Sequence, residues 1–174
     1  NYVDEKANEI NKQKEQIKKL LPELMLKQKF SENRQEAQVY LGWKGIVNAF
    51  SFMTESLEKG SDYIAFAQTS PEEESKEVKI FFSQYQKKRE EKKLNVKLIA
   101  DKSQKKVFKS EPYSKFKNFH VKYIENCPPG IVISKNHVCI STFDPSPVGV
   151  IISSKEMADS FRKYFYREWE RAKN

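Results

Sequence analysis

The spacing of apolar and polar residues along the chain predicts strands and helices in alternation. Short apolar runs of the kind found in strands lie at residues 37–43, 63–67, 96–100 and 119–124. Between them, apolar residues at helical spacing predict a helix over 46–57, which Gly60 ends, and a second helix that begins at Ser70. This order predicts an α/β domain with a largely parallel central sheet.

The C-terminal part of the chain predicts a cluster of strands followed by one amphipathic helix. Runs rich in β-branched residues lie at 131–133, 138–140 and 148–152. Lys135-Asn136 suits a tight turn between the first two runs, and Ser153 with Glu156 has the spacing of a capping box at a helix start. The helix then carries a stripe of large apolar residues: Met157, Phe161, Phe165 and Trp169. We interpret this stripe as core packing rather than as a cofactor site.

Residues 1–30 have a different pattern, which predicts a helix that pairs as a coiled coil. Val3, Ile10, Ile17 and Leu24 recur at intervals of seven and therefore lie on one stripe of a helix. An isolated helix of this length is marginal in water, so the stripe must pack on a second copy or fold back on the globular domain, residues 31–174. We favour the second copy, which makes the protein a homodimer.

The charge balance favours anionic partners. The chain has 32 Lys and Arg residues against 24 Asp and Glu, which gives a net charge of +8. Nucleic acid is the first candidate for such a partner, although the lysines are spread along the chain as on an ordinary solvated surface. No apolar run reaches the roughly 20 residues that a membrane helix requires. We expect a cytoplasmic protein without a membrane partner and, because the first residue is Asn1, a fragment of a longer chain.

Cysteine and histidine usage gives no sign of a metal site. Cys127 and Cys139 are the two cysteines, His120 and His137 are the two histidines, and their spacing matches no zinc motif. Two cysteines in a cytosolic protein are reduced thiols by default. We therefore expect neither a metal nor a cofactor.

The ordered set of segments resembles a known family of archaeal proteins. Two stretches carry most of the resemblance, namely FFxxYxxxRxxxxxxVKLI over residues 81–99 and FRKYFYREW over 161–169. The chain is similar to the C-terminal part of TrmB-like transcriptional regulators, in which a winged-helix DNA-binding domain precedes a coiled-coil helix and an effector domain. The resemblance implies a phospholipase-D-like mixed α/β sheet flanked by helices and preceded by a coiled-coil helix. It also implies a regulatory homodimer that reaches DNA through a winged helix outside this chain.

The resemblance implies a domain without catalytic residues. Enzymes of the phospholipase-D-like fold use an HxK(x)4D motif, in which histidine attacks phosphorus and lysine stabilises the phosphoryl oxygens. His120-Val121-Lys122 begins such a motif, but Cys127 stands where the aspartate is required. The alignment with the family places Pro128, Gly130 and Lys135 at the His, Lys and Asp positions. We therefore expect no enzyme, although a phosphodiesterase or nuclease and a basic domain that binds nucleic acid directly are the alternatives.

A small-molecule effector is a further possibility that the fold class raises. Open α/β sheets bind ligands beyond the carboxyl ends of their strands. The polar residues predicted at those ends are Gln68, Thr69, Asp101, Ser141, Thr142 and Asp144. The alternative is that they cap strands and form turns. Sugar-responsive members of the family carry a further β-rich segment, and because the chain ends at Asn174 we do not expect sugar recognition.

Overall fold

The computed structural model describes most of the chain in two compact units, Asn1–Gln35 and Glu36–Asn174. The described residues are 6, 9–10, 12–18, 20–22, 35–67, 75–128, 130–143 and 146–174. In the first unit all described residues between 6 and 22 are helical, as the seven-residue repeat predicts. Ile10 and Ile17 are 59% and 60% exposed in the single chain. Val3, Leu24 and the predicted boundary at residue 30 lie outside the described residues, and coiled-coil pairing stays a prediction.

The second unit is built on one seven-stranded sheet with the strand order β1-β7-β6-β5-β2-β3-β4. The strands are β1 (Glu36–Leu41), β2 (Asp62–Phe66), β3 (Asn95–Asp101), β4 (Phe119–Ile124), β5 (Ile131–Ile133), β6 (His137–Thr142) and β7 (Val148–Ser153). Each strand predicted from the sequence is present. β1 and β4 are the outermost strands of the sheet.

The sheet is mixed, so the prediction of a largely parallel sheet is wrong. β2 pairs in parallel with β3, and β3 with β4. The other four pairings are antiparallel. The reason lies in the connections, because a parallel pair needs a long crossover whereas a short turn joins only antiparallel neighbours. The turn at Lys135-Asn136 is of the short kind, and the Ser134 N–H donates to the His137 carbonyl at 2.9 Å.

Helices cover both faces of the sheet. They are α1 (Gly42–Glu55), α2 (Lys76–Glu91), the short α3 (Lys105–Phe108) and α4 (Lys155–Arg171). Residues of α1 and α2 pack with one face of the sheet in a core that includes Phe50, Val132 and Cys139. α4 packs on the opposite face, where Phe165 is fully buried against Ile99 and Ile133.

The apolar stripe of the last helix is only partly core. Phe165 is fully buried, and Phe161 and Trp169 pack against the same cluster in a half-buried state. Met157, at the start of the stripe, is 37% exposed. The stripe is therefore best described as a core anchor at Phe165 with flanks that extend to the protein surface.

The start of α2 differs from the prediction. The sequence predicts the cap at Ser70, whereas in the structure the Ser75 side chain accepts a hydrogen bond from the Val78 N–H at 3.3 Å. Ser75 has extended backbone angles, so the helix cannot continue through it toward Ser70. Ser70 itself lies outside the described residues.

The start of α4 is also displaced, by one residue. The cap is Ser154, whose hydroxyl accepts a hydrogen bond from the Met157 N–H at 3.3 Å. Ser153 cannot take this role because it is the last residue of β7, where it pairs with His137 of β6. Strand pairing thus decides between two adjacent serines that the sequence pattern does not separate.

Candidate ligand-binding edge and aromatic cavity

The carboxyl ends of β2, β3 and β6 lie at one edge of the sheet. β5 runs antiparallel to both β2 and β6, which brings the ends of those two strands to the same side. Asp101, Ser141 and Thr142 therefore share this edge, while Gln68, Thr69 and Asp144 lie outside the described residues. β5 and β2 separate β6 from β3, so Asp101 lies about 14 Å from Thr142 at roughly 4.8 Å per strand step. Asp101 and Thr142 are too far apart to hold one small ligand between them.

Asp101 caps the turn that follows β3. Its carboxylate accepts hydrogen bonds from the Ser103 N–H at 2.9 Å and the Ser103 hydroxyl at 2.8 Å. It also accepts one from the Cys127 N–H at 3.3 Å, and the Gln104 side chain accepts in return from the Asp101 N–H. The hydrogen bonds from Ser103 hold the pKa of Asp101 below its ordinary value. The arrangement supports the turn-forming role for this residue.

Two thiols lie within the domain and neither is activated. Burial raises the pKa of Cys127 to about 12, and the neighbouring Asp101 carboxylate adds to the effect. Burial alone raises the pKa of Cys139 to about 12. Since the thiolate is the nucleophilic form, neither cysteine suits covalent catalysis. Among the described residues, no group of three or more His, Cys, Asp or Glu side chains could hold a metal ion.

A half-buried cavity of about 60 Å³ lies below this edge, on the side of the sheet that α1 and α2 cover. Ala67, Gly130 and Ser141 form the part of its wall next to the edge. Aromatic rings form most of the rest: Phe50, Tyr63, Phe82, Phe108, Tyr113 and Phe119. Among the described lining residues one side chain is charged, that of Arg89 of α2, which is 5% exposed.

The Arg89 guanidinium is held between aromatic rings. Its central carbon lies 4.7 Å from the ring centroids of both Tyr63 and Tyr85, and 6.0 Å from that of Phe119. Burial raises the pKa of both tyrosines, so their phenols are neutral and do not balance the charge. The buried Arg89 Nε has no hydrogen-bond partner, and one turn earlier both amide atoms of Gln86 are likewise unpartnered.

A polar cluster on the α4 side of the sheet joins three elements. The Asp62 carboxylate accepts hydrogen bonds from Lys97 Nζ at 2.5 Å, Asn95 Nδ2 at 2.7 Å and the Tyr166 hydroxyl at 2.8 Å. Partial burial works to raise the pKa of Asp62, but these hydrogen bonds outweigh it and the pKa lies below its ordinary value. Burial and the hydrogen bond to Asp62 raise the pKa of Tyr166 to about 12. The cluster links β2 and β3 to α4.

Comparison with known proteins finds likeness at the level of structure. No family model and no curated protein matches the sequence. Among solved structures, the chain is similar to TrmBL2, an archaeal chromatin protein with a novel mode of DNA binding, at 16% identity and a TM-score of 0.65. That match covers 99% of this chain and 66% of TrmBL2, so the chain spans just under two thirds of its relative. It is also similar to NucT from Helicobacter pylori at 8% identity and a TM-score of 0.53, over 81% of this chain and 99% of NucT.

The fold is phospholipase-D-like. In a phospholipase-D-like domain the HxK(x)4D motif spans one strand, which the resemblance places at β5. Pro128 precedes β5 and Gly130 leads directly into it, and neither has an ionisable side chain. Lys135 lies in the turn at the other end of β5 and pairs with Glu58 at 3.5 Å. His120 is an exposed residue of β4, opposite Lys97 of β3.

The sequence pattern missed the most unusual polar residues of this phospholipase-D-like domain. Gln86 and Arg89 lie in a strongly charged stretch that extends to Lys93, a composition typical of a solvent-exposed helix face, yet both are buried. The available signal is spacing, because Arg89 follows Tyr85 by four residues and Phe82 by seven. Residues at those intervals share a helix face, which places Arg89 on the apolar face. Within the described residues, no helix is long and apolar enough to span a membrane.

Proposed function

We propose that this chain is the non-catalytic regulatory and dimerisation part of a TrmB-like DNA-binding transcriptional regulator. The observation that carries the proposal is the likeness to TrmBL2, which extends over 99% of the chain and so includes the N-terminal helix as well as the domain. In the proposed protein a winged helix outside this chain contacts DNA. We place the protein in the cytoplasm of an archaeon, as its relative suggests.

Dimerisation is proposed through the stripe of Val3, Ile10, Ile17 and Leu24. The exposure of Ile10 and Ile17, with Leu20 and Leu21 beside them at 53% and 51%, supports a missing partner surface. A second copy of the same helix offers a matching stripe. Such a pair would hold two DNA-binding domains at a fixed spacing, which suits an operator with two-fold symmetry.

Light scattering coupled to size exclusion tests the dimer. The variant Ile10→Gln/Ile17→Gln removes two apolar side chains from each copy while keeping residues that favour helices. Burying an Ile side chain contributes about 1.5–3 kcal/mol, so the four positions of a pair together contribute roughly 6 kcal/mol or more. We expect a dimer mass for the wild type and a Kd at least about 10⁴-fold weaker for the variant.

The matched control is Lys12→Gln/Lys18→Gln, which changes the same helix outside the stripe. This variant should keep the dimer mass. A monomeric wild type at high micromolar concentration contradicts the dimer, and so does a double-Ile variant with an unchanged mass. If the control variant is also monomeric, the loss of the dimer reflects loss of the helix and not of the apolar stripe.

The absence of catalysis is supported by Pro128 and Gly130 at the positions where the resemblance expects His and Lys. Turnover of a chromogenic phosphodiester by the purified chain is the test. We expect no activity above buffer. Turnover that disappears in His120→Ala would establish a phosphodiesterase and overturn this part of the proposal.

Effector sensing at the sheet edge belongs to the same proposal. A ligand there would act by favouring one geometry of the dimer over another. Ser141 and Thr142 lie together at the end of β6, three strand steps from Asp101. The proposed edge site is therefore centred on Ser141 and Thr142, together with Gln68, Thr69 and Asp144.

Direct DNA binding by this chain is the second candidate function. The segment between β3 and β4 carries six lysines, and Lys106, Lys109 and Lys117 form no ion pair within the described part of the chain. Phosphate contacts give an affinity whose logarithm falls linearly with the logarithm of salt concentration. A gel-shift series over salt, with Lys106→Gln/Lys109→Gln against Lys12→Gln/Lys18→Gln, should show a smaller salt slope for the first variant. No shift of duplex DNA at low salt removes this candidate.

A further inference from the structure

The cavity beside Arg89 combines a buried positive charge with apolar walls. Arg89 is 5% exposed, and its Nε is buried without a hydrogen-bond partner. No Asp or Glu forms an ion pair with it in the described ranges, and the neighbouring phenols of Tyr63 and Tyr85 are neutral. Buried charges in proteins are ordinarily paired and hydrogen-bonded, because an unpaired one has lost its water without compensation. The aromatic faces offset part of that loss.

The geometry leaves the guanidinium available to a ligand. Tyr63 and Tyr85 contact Arg89 through ring faces, which bind the cation but leave its N–H groups unused. Arginine presents those groups as a planar fork that matches a carboxylate. Most of the remaining wall is apolar, with Phe82, Phe108 and Leu98 contributing to it. Such a site favours a molecule with one anionic end and one apolar end.

The size of the cavity limits the ligand. A cavity needs at least about 10–15 Å³ on this scale to hold one water molecule, so about 60 Å³ admits only a molecule of a few heavy atoms. A carboxylate uses three of these atoms, which leaves space for a short aliphatic body. We propose that the cavity binds a small carboxylate with a short aliphatic body, and that Arg89 binds its carboxylate group.

This inference goes beyond the proposed function, because it stands on the cavity whether or not the chain regulates transcription. The cavity also differs from the proposed sheet-edge site: of the three predicted residues that the structure describes there, Ser141 lines the cavity, whereas Asp101 and Thr142 do not. Occupation of the cavity would fix α2 against the sheet, since Arg89 and Phe82 of α2 face Ala65 and Leu98 across it.

Methyl NMR with propionate as the probe tests the site directly. Ala65 and Ala67 line the cavity, whereas Ala158 is fully buried in the core on the opposite face of the sheet. Titrating propionate into the full chain should shift the methyl signals of Ala65 and Ala67 and leave that of Ala158 unchanged. Propionamide has the same shape without the charge, and inorganic phosphate has charge without the apolar body. Both should bind at least about 10-fold more weakly than propionate.

Substitutions at Arg89 identify the binding group. Arg89→Met keeps the length and removes the charge, so the Kd for propionate should weaken by about 10- to 100-fold, as expected for a lost charge-assisted hydrogen bond. Arg89→Lys should retain part of the affinity. The matched control is Arg167→Met, because the Arg167 guanidinium also lies 5.0 Å from a tyrosine ring but its side chain is 59% exposed. This control should bind propionate as the wild type does.

The stability of the unliganded variant separates a ligand-binding role from a structural one. If Arg89 serves to bind a ligand rather than to stabilise the fold, Arg89→Met should be at least as stable as the wild type in the absence of carboxylate. If Arg89→Met does not fold, Phe108→Ala provides a second test, because the enlarged cavity should shift the preference from propionate toward benzoate. Unmoved Ala65 and Ala67 signals up to 50 mM propionate would falsify the proposal, and so would equal binding of propionamide.

Discussion

Asp62 is the residue whose replacement most directly tests how this domain is held together. Its carboxylate accepts hydrogen bonds from Lys97, Asn95 and Tyr166, and so joins β2, β3 and α4. The variant Asp62→Asn keeps the shape and removes the charge. The oxygen of the new amide can still accept hydrogen bonds from Lys97 and Tyr166. The NH₂ group of the new amide cannot accept the hydrogen bond that the Asn95 NH₂ group donates to the carboxylate.

The cost follows from those contacts. The hydrogen bond from Asn95 to a charged acceptor is lost, which costs about 1.5 kcal/mol. The hydrogen bonds from Lys97 and Tyr166 remain but have a neutral acceptor, which costs about 1 kcal/mol each. The Asp62 side chain is 34% exposed, so solvent screens the charge and reduces the sum of these terms. We expect Asp62→Asn to lower the free energy of unfolding by about 1–2 kcal/mol at pH 7.

The pH dependence gives the sharper signature. The pKa of Asp62 is lower in the folded chain than its ordinary value of 3.8. Its contribution is therefore fully present above that value and is lost as the pH falls through the depressed pKa. Protonated aspartate resembles asparagine, so the difference between wild type and variant should shrink toward zero in acid.

Urea unfolding followed by tryptophan fluorescence, at pH 7, 5, 4 and 3, measures this difference. Glu125→Gln is the control, because its partner Lys102 is exposed and the pair lies on the surface. That variant should unfold as the wild type does at pH 7. A zero difference for Asp62→Asn at pH 7 refutes the structural reasoning, and a difference that stays constant down to pH 3 refutes the electrostatic part of it.

Two further predictions concern the cores. Phe165→Ala should destabilise the domain by about 3–5 kcal/mol in the same urea assay, because removing a fully buried ring that packs edge-on against Phe66 leaves a cavity. The control Lys163→Ala, on the exposed side of α4, should leave the free energy of unfolding nearly unchanged. Cys127 and Cys139 should react with iodoacetamide at pH 8 at least about 10-fold more slowly than a free thiol, because burial raises both pKa values to about 12. Mass spectrometry with and without urea measures this protection, and equal rates in both conditions would contradict it.

The sequence pattern predicted the positions of strands best, because an apolar run forms a strand whichever other strands it pairs with. The run at 63–67 is apolar on both faces and the run at 96–100 is apolar apart from Lys97, and they become the interior strands β2 and β3. Direction was harder to predict, because the pattern within a strand does not specify which neighbour it joins. β2 takes β3 in parallel on one side and β5 antiparallel on the other, although β5 lies far along the chain. Strand pairing is therefore determined by tertiary packing, about which the pattern within one strand carries no information.

Arg89 shows why the candidate site was harder to predict than the fold. Its charge and its neighbours Lys87, Lys88 and Glu90 suggest solvent, while its spacing from Tyr85 suggests the core. Composition and spacing conflict at this position, and the structure follows spacing. Such conflicts are expected at functional sites, where a residue is kept at a local cost.

Arg89 lines a cavity whose wall also includes Gly130, at the start of β5, where the resemblance places the motif of phospholipase-D-like enzymes. Around the start of β5 the Cys127 N–H is bound to Asp101, and the Cys127 thiol donates toward the Ile99 carbonyl at 3.5 Å. The backbone N–H and the thiol of Cys127 are thus both bound within the protein. Arg89 lies in the interior, where aromatic rings cover its guanidinium. A phosphodiesterase that cleaves a large polyanion needs exposed cations, whereas a small carboxylate is of a size to enter a half-buried aromatic cavity. We therefore regard the placement of Arg89 as better suited to the proposed binding of a small carboxylate than to cleavage of a large polyanion.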